Sequence, residues 1–153
     1  MSLGPYFHVG IIVPDLRAAR AHLTDLLGSE WGPVMENDID ARDTGGNEDV
    51  LPNRVCYSTQ APHIELILET PGTPWVCNEH SNLHHIGFFS GALGADSRRF
   101  AVAGCPLEIM GGHGSELPRG WAYHRDPLGV RIELVDEAIR GPMEAYAFRP
   151  PAE

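Results

Sequence analysis

The sequence predicts an α+β fold of two tandem modules, each with the order strand, helix, strand, strand, strand. Residues 7–11 and 84–88 repeat one strand-like pattern, in which an apolar residue and a glycine follow a histidine. Residues 63–67 and 131–135 repeat a second pattern, with a glutamate between apolar residues. A helical segment follows the opening strand of each half. If the two mixed sheets curve toward each other, they form a cup with the polar residues of both repeats inside.

The composition favours a small-molecule or protein partner. The 153-residue chain carries a formal net charge of −10, so nucleic acid and anionic membrane surfaces would repel it. It has no apolar run of about 20 residues, and its first residues lack the pattern of a signal peptide. We therefore expect a cytoplasmic protein with no membrane or nucleic-acid partner. The three cysteines have no spacing typical of a disulfide framework or a zinc–thiolate site.

The first half begins with a strand predicted over residues 6–13, which ends at Pro14. Asp15 is a suitable N-cap for the helix that follows, and Gly28 is placed to close the helix. Short strands are predicted over residues 31–35, 54–58 and 62–68. The acidic stretch 37–49, which lies between the first two of them, is predicted to be a solvated loop.

The second half repeats this order of elements. A strand is predicted over residues 83–89, followed by a short helix over 96–103 that ends at Gly104. Three more strands are predicted over residues 107–110, 121–124 and 130–135. The predicted divisions are an N-terminal extension interpreted as a cloning remnant (1–5), module 1 (6–69), a turn-rich linker (70–82), module 2 (83–135) and a C-terminal tail (136–153).

Four side chains on these strands are candidate metal ligands: His8, Glu65, His85 and Glu133. Because strand side chains alternate between two faces, each of them lies opposite the apolar face that packs under a helix. Burying two carboxylates without a cation would be costly. Two imidazoles and two carboxylates suit a divalent ion such as Zn, Ni, Co, Mn or Fe(II). Gly10 and Gly87, the glycines that follow these histidines, lie on the same face, where we expect them to let a ligand approach closely.

Three further histidines are secondary candidates. Alignment of the two repeats selects His85 as the ligand and leaves His84 on the opposite face or in a position that supports the site. His113 lies in a glycine-rich loop that is flexible enough to close over a ligand, although a plain connection is the commoner meaning of such a loop. His124, in the penultimate strand, is the other candidate.

The chain resembles the vicinal oxygen chelate superfamily, which includes glyoxalase I, methylmalonyl-CoA epimerase, extradiol dioxygenases and the bleomycin resistance proteins. Residues 8–16 and 26–28 resemble the opening strand and helix of that superfamily, and residues 123–134 resemble its closing hairpin. The resemblance covers residues 6–135 and implies paired βαβββ modules with a metal on the concave face. The ligands that it implies are His8, Glu65, His85 and Glu133.

The resemblance also implies a metal-dependent lyase, isomerase or epimerase of the glyoxalase I or methylmalonyl-CoA epimerase type. Such an enzyme moves a proton next to a carbonyl through a metal-bound enediolate or enolate. Glu133 is the first candidate for the base and Glu65 the second. The expected substrate is a thiohemiacetal, an acyl-CoA or another 2-substituted carbonyl compound, and the expected assembly is a homodimer.

Two other functions stay open. An extradiol dioxygenase with non-haem iron uses two histidines and one carboxylate, which would require Glu65 to point away from the ion. A binding protein of the drug-resistance type would hold a small molecule in the same cup, with metal optional, against aromatic side chains. The candidate aromatic residues are Trp31, Trp75, Phe89 and Trp121. The epimerases carry a further glutamate at the place of residues 50–53, for which Glu48 or Asp49 could substitute only through a shifted loop.

Overall fold

A computed structural model describes residues 2–153, so Met1 of the expected N-terminal extension lies outside the described residues. The first half contains β1 (His8–Val13), α1 (Leu16–Leu27), β2 (Met35–Asp43), β3 (Glu48–Tyr57) and β4 (His63–Leu68). The second half contains β5 (Leu83–Ser90), α2 (Leu93–Val102), β6 (Leu107–Gly111), β7 (Trp121–Arg125) and β8 (Arg131–Asp136). Three short helical turns follow: Glu137–Ile139, Arg140–Pro142 and Met143–Ala147. The predicted order of elements is confirmed in both halves.

The strands form one closed barrel in the order β1-β4-β3-β2-β6-β7-β8-β5. In each half the first and last strands pair in parallel, as β1 with β4 and β5 with β8. The two halves join through antiparallel pairs, β1 with β5 and β2 with β6. The modules therefore pair within one chain, and the predicted α+β fold with a curved mixed sheet is confirmed.

Helix α1 follows its sequence signals closely. The Asp15 carboxylate accepts a hydrogen bond from the backbone N–H of Ala18, and Gly28 ends the helix in the left-handed conformation with φ of 69°. The apolar side of the helix packs on the outer face of the sheet around Val13 and Leu66. The opposite face of β1 and β4 is therefore left to line the barrel. None of the helices among residues 2–153 has both the length and the apolar character needed to cross a membrane.

The prediction of a solvated loop over residues 37–49 is wrong, because β2 and β3 form a long hairpin there. Ile39 and Ala41 point into the core of the barrel, whereas the acidic side chains that alternate with them are exposed. The Asp43 carboxylate closes the turn by accepting hydrogen bonds from the backbone N–H groups of Gly45 and Asn47. Of the strand predicted over 31–35, only an isolated bridge at Trp31 and the first residue of β2 remain.

The C-terminal residues 136–153, here called the C-terminal segment, pack against the barrel. The Phe148 ring stacks on the His63 ring, with ring centroids 3.7 Å apart. The guanidinium of Arg140 lies 4.1 Å from the centroid of the Phe89 ring. The backbone of Ala147 passes so close to Gly32 that a side chain there would collide with the Ala147 carbonyl oxygen. The segment therefore belongs to the packed structure of the protein.

Candidate metal centre

The structure brings the four predicted ligand residues together inside the barrel. His8 lies on β1, Glu65 on β4, His85 on β5 and Glu133 on β8. One nitrogen or oxygen atom from each residue lies within 4.8 Å of the others, in a group that could hold a metal ion. The two imidazoles are fully buried, and the two carboxylates are 9% and 12% exposed.

The spacing of these atoms fits a single ion. The Nε2 atom of His8 lies 3.3 Å from Oε2 of Glu65 and 3.1 Å from Oε2 of Glu133. The Nε2 atom of His85 lies 3.1 Å and 3.2 Å from the same two oxygens, and 2.7 Å from Nε2 of His8. Ligand atoms about 2.1 Å from one ion are about 3.0 Å apart at a right angle and about 3.4 Å apart at the tetrahedral angle. The five distances lie at or near that range.

The register of β1 against β5 explains the glycines of the repeat. His8 pairs with Gly87 across the two strands, and Gly10 pairs with His85. A Cβ atom at Gly87 would collide with the His8 ring, and one at Gly10 would collide with the His85 ring. The expectation that these glycines leave room for a ligand is therefore corrected, because each makes room for the imidazole of the other half.

The charges of the centre favour a cation. Burial opposes protonation of His8, but hydrogen bonds and charge from Glu133 and Glu65 outweigh it and raise the pKa of His8 to about 9. The pKa of His85 is raised for the same reasons. Burial also opposes ionisation of Glu65 and Glu133, yet the two imidazoles hold the pKa of each carboxyl below its usual range. Apart from the two histidine nitrogens, the buried Oε2 of Glu65 has no donor among the described residues. The donor set thus fits a divalent ion at this point.

His84 supports the centre through a hydrogen-bond chain. Its Nε2 lies 2.8 Å from the carbonyl oxygen of Pro74, and its Nδ1 lies 2.9 Å from Nδ1 of His85. A carbonyl only accepts, so Nε2 of His84 donates and its Nδ1 accepts from Nδ1–H of His85. This arrangement leaves the lone pair of His85 Nε2 directed at the centre. Burial lowers the pKa of His84 to about 4, which keeps the ring neutral. Of the two positions expected for His84, this hydrogen bond corresponds to the supporting one.

Sequence reasoning missed two tyrosines beside the carboxylates. Tyr57 pairs with Glu65 between β3 and β4, and Tyr123 pairs with Glu133 between β7 and β8. The Tyr57 hydroxyl donates to Oε1 of Glu65 over 2.7 Å, whereas the Tyr123 hydroxyl accepts from Nε1–H of Trp75 over 3.0 Å. Burial and the nearby glutamates raise the pKa of both tyrosines well above the usual value. The position of each tyrosine beside a glutamate follows only from the pairing of β3 with β4 and of β7 with β8.

A cavity of about 230 Å³, here called the carboxylate cavity, opens beside the carboxylates of Glu65 and Glu133. Its lining is apolar or aromatic apart from these carboxylates and two amides. The lining side chains are Met35, Asn37, Ile39, Asn53, Val55, Tyr57, Glu65, Trp75, Trp121, Tyr123, Glu133, Val135, Ile139 and Met143. Of the aromatic residues proposed from sequence, Trp75 and Trp121 line it. Trp31 packs under α1 instead, and Phe89 stacks on Phe7.

A larger cavity, of about 530 Å³, contains neither carboxylate of the centre. It is lined by the linker, by β5 and by the hairpin of β7 and β8, and it includes His84 and His85 but not His8. Glu65 and Glu133, which would bind the ion and act as the base, line the smaller cavity. The candidate site is therefore the smaller cavity.

The remaining sequence candidates lie away from the centre. His113 is bonded through Nε2 to the carbonyl oxygen of Asp49. His124 is buried beneath α2, where it contacts the hydroxyl of Ser97 and the carbonyl oxygen of Cys105. Glu48 accepts a hydrogen bond from the backbone N–H of Gly114 at the far end of the β2–β3 hairpin. Neither Glu48 nor Asp49 is among the residues that line the carboxylate cavity.

Paired βαβββ halves around a buried cluster of two histidines and two glutamates define a protein of the vicinal oxygen chelate fold. Comparison with known families agrees, because the model of the Glyoxalase/Bleomycin resistance protein/Dioxygenase superfamily matches residues 7–123. The chain belongs to that superfamily.

Solved structures of low sequence identity share the fold. A Streptomyces coelicolor methylmalonyl-CoA epimerase in complex with 2-nitronate-propionyl-CoA is 20% identical, with a TM-score of 0.61 over 90% of this chain and 96% of that chain. A methylmalonyl-CoA epimerase in complex with methylmalonyl-CoA and NH4+ is also 20% identical, with a TM-score of 0.61 over 98% and 100% of the two chains. A hypothetical protein from Bacillus halodurans C-125 is 14% identical, with a TM-score of 0.61 over 97% of each chain. No protein of curated function matches the sequence.

Proposed function

We propose that the protein is a divalent-metal-dependent enzyme that moves a proton at the carbon next to a carbonyl group, as in glyoxalase I or methylmalonyl-CoA epimerase. The observation that carries the proposal is the convergence of His8, Glu65, His85 and Glu133 on one point beside a cavity. The similarity of the fold to methylmalonyl-CoA epimerases supports the same class of chemistry. The expected homodimer and the cytoplasmic location stay predictions.

The four residues would hold the ion through Nε2 of the two histidines and Oε2 of the two glutamates. When bound, the ion would polarise a carbonyl oxygen of the substrate and stabilise the negative charge that develops there. The mixture of two imidazoles and two carboxylates is compatible with Zn, Ni, Co, Mn or Fe(II). The aromatic and apolar side chains around the carboxylates would limit the access of water, which strengthens electrostatic interactions at the site.

Glu133 is the proposed base. The second oxygen of Glu65 accepts a hydrogen bond from Tyr57, which fixes that carboxylate. The cross-strand tyrosine of Glu133 bonds to Trp75 instead, so Glu133 has more freedom to turn toward a substrate. Glu133 would take the proton from the carbon next to the carbonyl and return it to the carbon skeleton of the product. Glu65 is the second candidate for this role.

A second candidate function is the binding of a small molecule without chemistry. The apolar and aromatic lining of the cavity favours it, because such lining is typical of sites that hold organic ligands. The dioxygenase alternative required Glu65 to point away from the centre. Oε2 of Glu65 lies 3.1 Å from Nε2 of His85, which counts against the dioxygenase alternative.

Solvent exchange tests the proposed reaction. The metal-loaded protein is incubated in D2O with acetoin, 2-hydroxyacetophenone, the hemithioacetal of methylglyoxal and glutathione, or methylmalonyl-CoA, and the C–H signal next to the carbonyl is followed by proton NMR. We expect exchange with at least one compound, and a loss of about 100-fold or more in Glu133→Gln with the ion still bound. Glu108→Gln is the control, because Glu108 pairs with Arg125 and Arg131 and does not line the cavity beside the carboxylates. Ion binding without exchange of any compound would favour the binding function instead.

A further inference from the structure

We propose that the substrate is a compact carbonyl compound with an apolar or aromatic body, and that it carries no ionised group beyond the oxygens that approach the centre. This inference rests on the proposed function and narrows its substrate. Three observations support it: the size of the carboxylate cavity, the C-terminal segment that limits this size, and the charges of the residues that line the cavity.

The cavity is small for an organic ligand. Its volume of about 230 Å³ lies below the range of about 300–1,000 Å³ that is typical of ligand pockets. Two residues of the C-terminal segment, Ile139 and Met143, form part of its wall. Met143 also packs against the hydrophobic core of the barrel. The segment therefore reduces the space in front of the carboxylates, and a long substrate could place only one end there.

The lining would not neutralise a second anion. Among the cavity residues that the structure describes, the charged ones are Glu65 and Glu133, and there is no lysine or arginine. Burying an uncompensated carboxylate or phosphate beside two glutamates would be costly. Arg125 and Arg131 of the β7–β8 hairpin line the larger cavity instead, and both are paired with the Glu108 carboxylate. The carboxylate cavity thus disfavours the phosphates of a coenzyme A group and the carboxylates of glutathione.

Two amides give the cavity neutral hydrogen-bonding capacity. Asn53 lies between Leu51 and Val55 on the same inner face of β3 and is only 7% exposed. Asn37 lies across from it in the β2–β3 register. No hydrogen bond to the Asn53 carboxamide is found within residues 2–153, so the group is available to a ligand that fills the cavity. A hydroxyl or amide on the body of the substrate is therefore compatible with this site.

Hydroxamic acids test the inference, because they share two adjacent metal-binding oxygens and differ only in the attached body. The dissociation constants of acetohydroxamic, benzohydroxamic, 4-carboxybenzohydroxamic and 2-naphthohydroxamic acid are measured by calorimetry with metal-loaded protein. We expect the benzo compound to bind at least tenfold more tightly than the aceto compound. We expect the carboxylated and naphthyl compounds to bind at least tenfold more weakly than the benzo compound. Equal or tighter binding of the carboxylated compound would overturn the inference.

A matched pair of variants tests the size limit. Met143→Ala widens the cavity and should restore the binding of the naphthyl compound to within about threefold of the benzo compound. Met110→Ala, a buried methionine under α2 outside the cavity, should leave the ranking unchanged. A naphthyl compound that binds the wild-type protein as well as the benzo compound does would overturn the size limit.

The metal content of every sample separates this inference from the proposed function. If the ion binds and the ranking is reversed, the substrate class is wrong and the metal-dependent function stands. If no ion binds, the function is wrong, and benzamide and 4-carboxybenzamide then test the cavity alone by NMR titration. Binding of benzamide but not of its carboxylated analogue would support the selectivity for an uncharged body, and the opposite order would overturn it.

Discussion

The His8 imidazole lies against the backbone of Gly87 on the neighbouring strand, in space that any side chain at Gly87 would occupy. The same relationship joins His85 to Gly10 in the other half. Each module thus supplies one histidine of the centre together with the glycine that accommodates the other histidine. The repeated pattern of histidine, apolar residue and glycine is therefore a requirement of the β1–β5 interface as well as of the candidate metal site.

The glycine at position 87 should be needed for metal binding. In Gly87→Ala the new methyl group displaces the His8 ring, and such overpacking costs about 1–3 kcal/mol of folding free energy. We expect the metal content to fall strongly while the fold, followed by circular dichroism, is retained. Gly91→Ala is the control, because a Cβ there would meet open space. Full metal content in Gly87→Ala would contradict the role of this contact.

The repeats explain how much of the centre could be predicted from the sequence. His8 and His85 occupy equivalent positions on strands that a period of two already defines, and so do the two glutamates. Strand alternation was enough to place their side chains on the face away from the helices. The sequence held no such internal copy for Asn53 or Met143. These residues reach the cavity through the barrel closure and the C-terminal segment, which depend on tertiary contacts.

The β2–β3 hairpin shows why one region was misassigned. Its acidic composition suggested a solvated loop, since charged residues are depleted in strands. Yet Ile39 and Ala41 alternate with exposed acidic residues, and this period of two is typical of a strand with one face in water. In this region the alternation, and not the acidic composition, determines the structure. The end of β2 also pairs with β6, from Ala41 opposite Gly111 to Asp43 opposite Ile109, and no local pattern reveals this contact.

Loss of the His84 ring nitrogens should weaken metal binding. His84→Phe keeps an aromatic ring against Tyr123 but removes the acceptor that orients His85. Removal of such an outer hydrogen bond typically costs 10–100-fold in metal affinity, so a decrease of about that size is expected. Competition with a zinc chelator measures it. His80→Phe, at an exposed linker position, should retain wild-type affinity, and equal affinity in the two variants would refute the supporting role of His84.

The two cross-strand tyrosines should differ in their effect on the metal. Tyr57→Phe leaves Oε1 of Glu65 without its donor, so the carboxylate is less well oriented and metal affinity should drop about 10-fold or more. Tyr123→Phe removes a bond to Trp75 and none to a ligand, so metal affinity should change much less. Chelator competition on both variants tests the difference. Equal losses would show that Tyr57 acts only through packing.

Asp96 should make the stability of the second half depend on acid pH. Burial raises the pKa of Asp96, but hydrogen bonds from Ser90 and Arg99 outweigh burial and hold this pKa below its usual value. A carboxyl with a lowered pKa in the folded state stabilises the fold above its unfolded pKa of about 4, and this contribution is lost as the pH falls through the folded value. Urea unfolding between pH 7 and pH 3 should therefore show Asp96→Asn approaching wild type as the pH falls. Asp38→Asn, on the exposed face of β2, is the control, and a constant difference for Asp96→Asn would contradict the assignment.

Gly32 should be the residue that lets the C-terminal segment close against the barrel. A Cβ at position 32 would collide with the carbonyl oxygen of Ala147, which is backbone and cannot rotate away. In Gly32→Ala the segment must shift, and Met143 moves with it, so the wall of the cavity should open. We expect faster hydrogen exchange over residues 143–148 and weaker discrimination against 2-naphthohydroxamic acid. Metal content should stay at the wild-type value, because the four candidate ligands lie on strands of the barrel. Gly141→Ala adds a methyl group to open space in the same segment and should change neither quantity. If Gly32→Ala exchanged like wild type and still excluded the naphthyl compound, the segment would not set the size of the cavity.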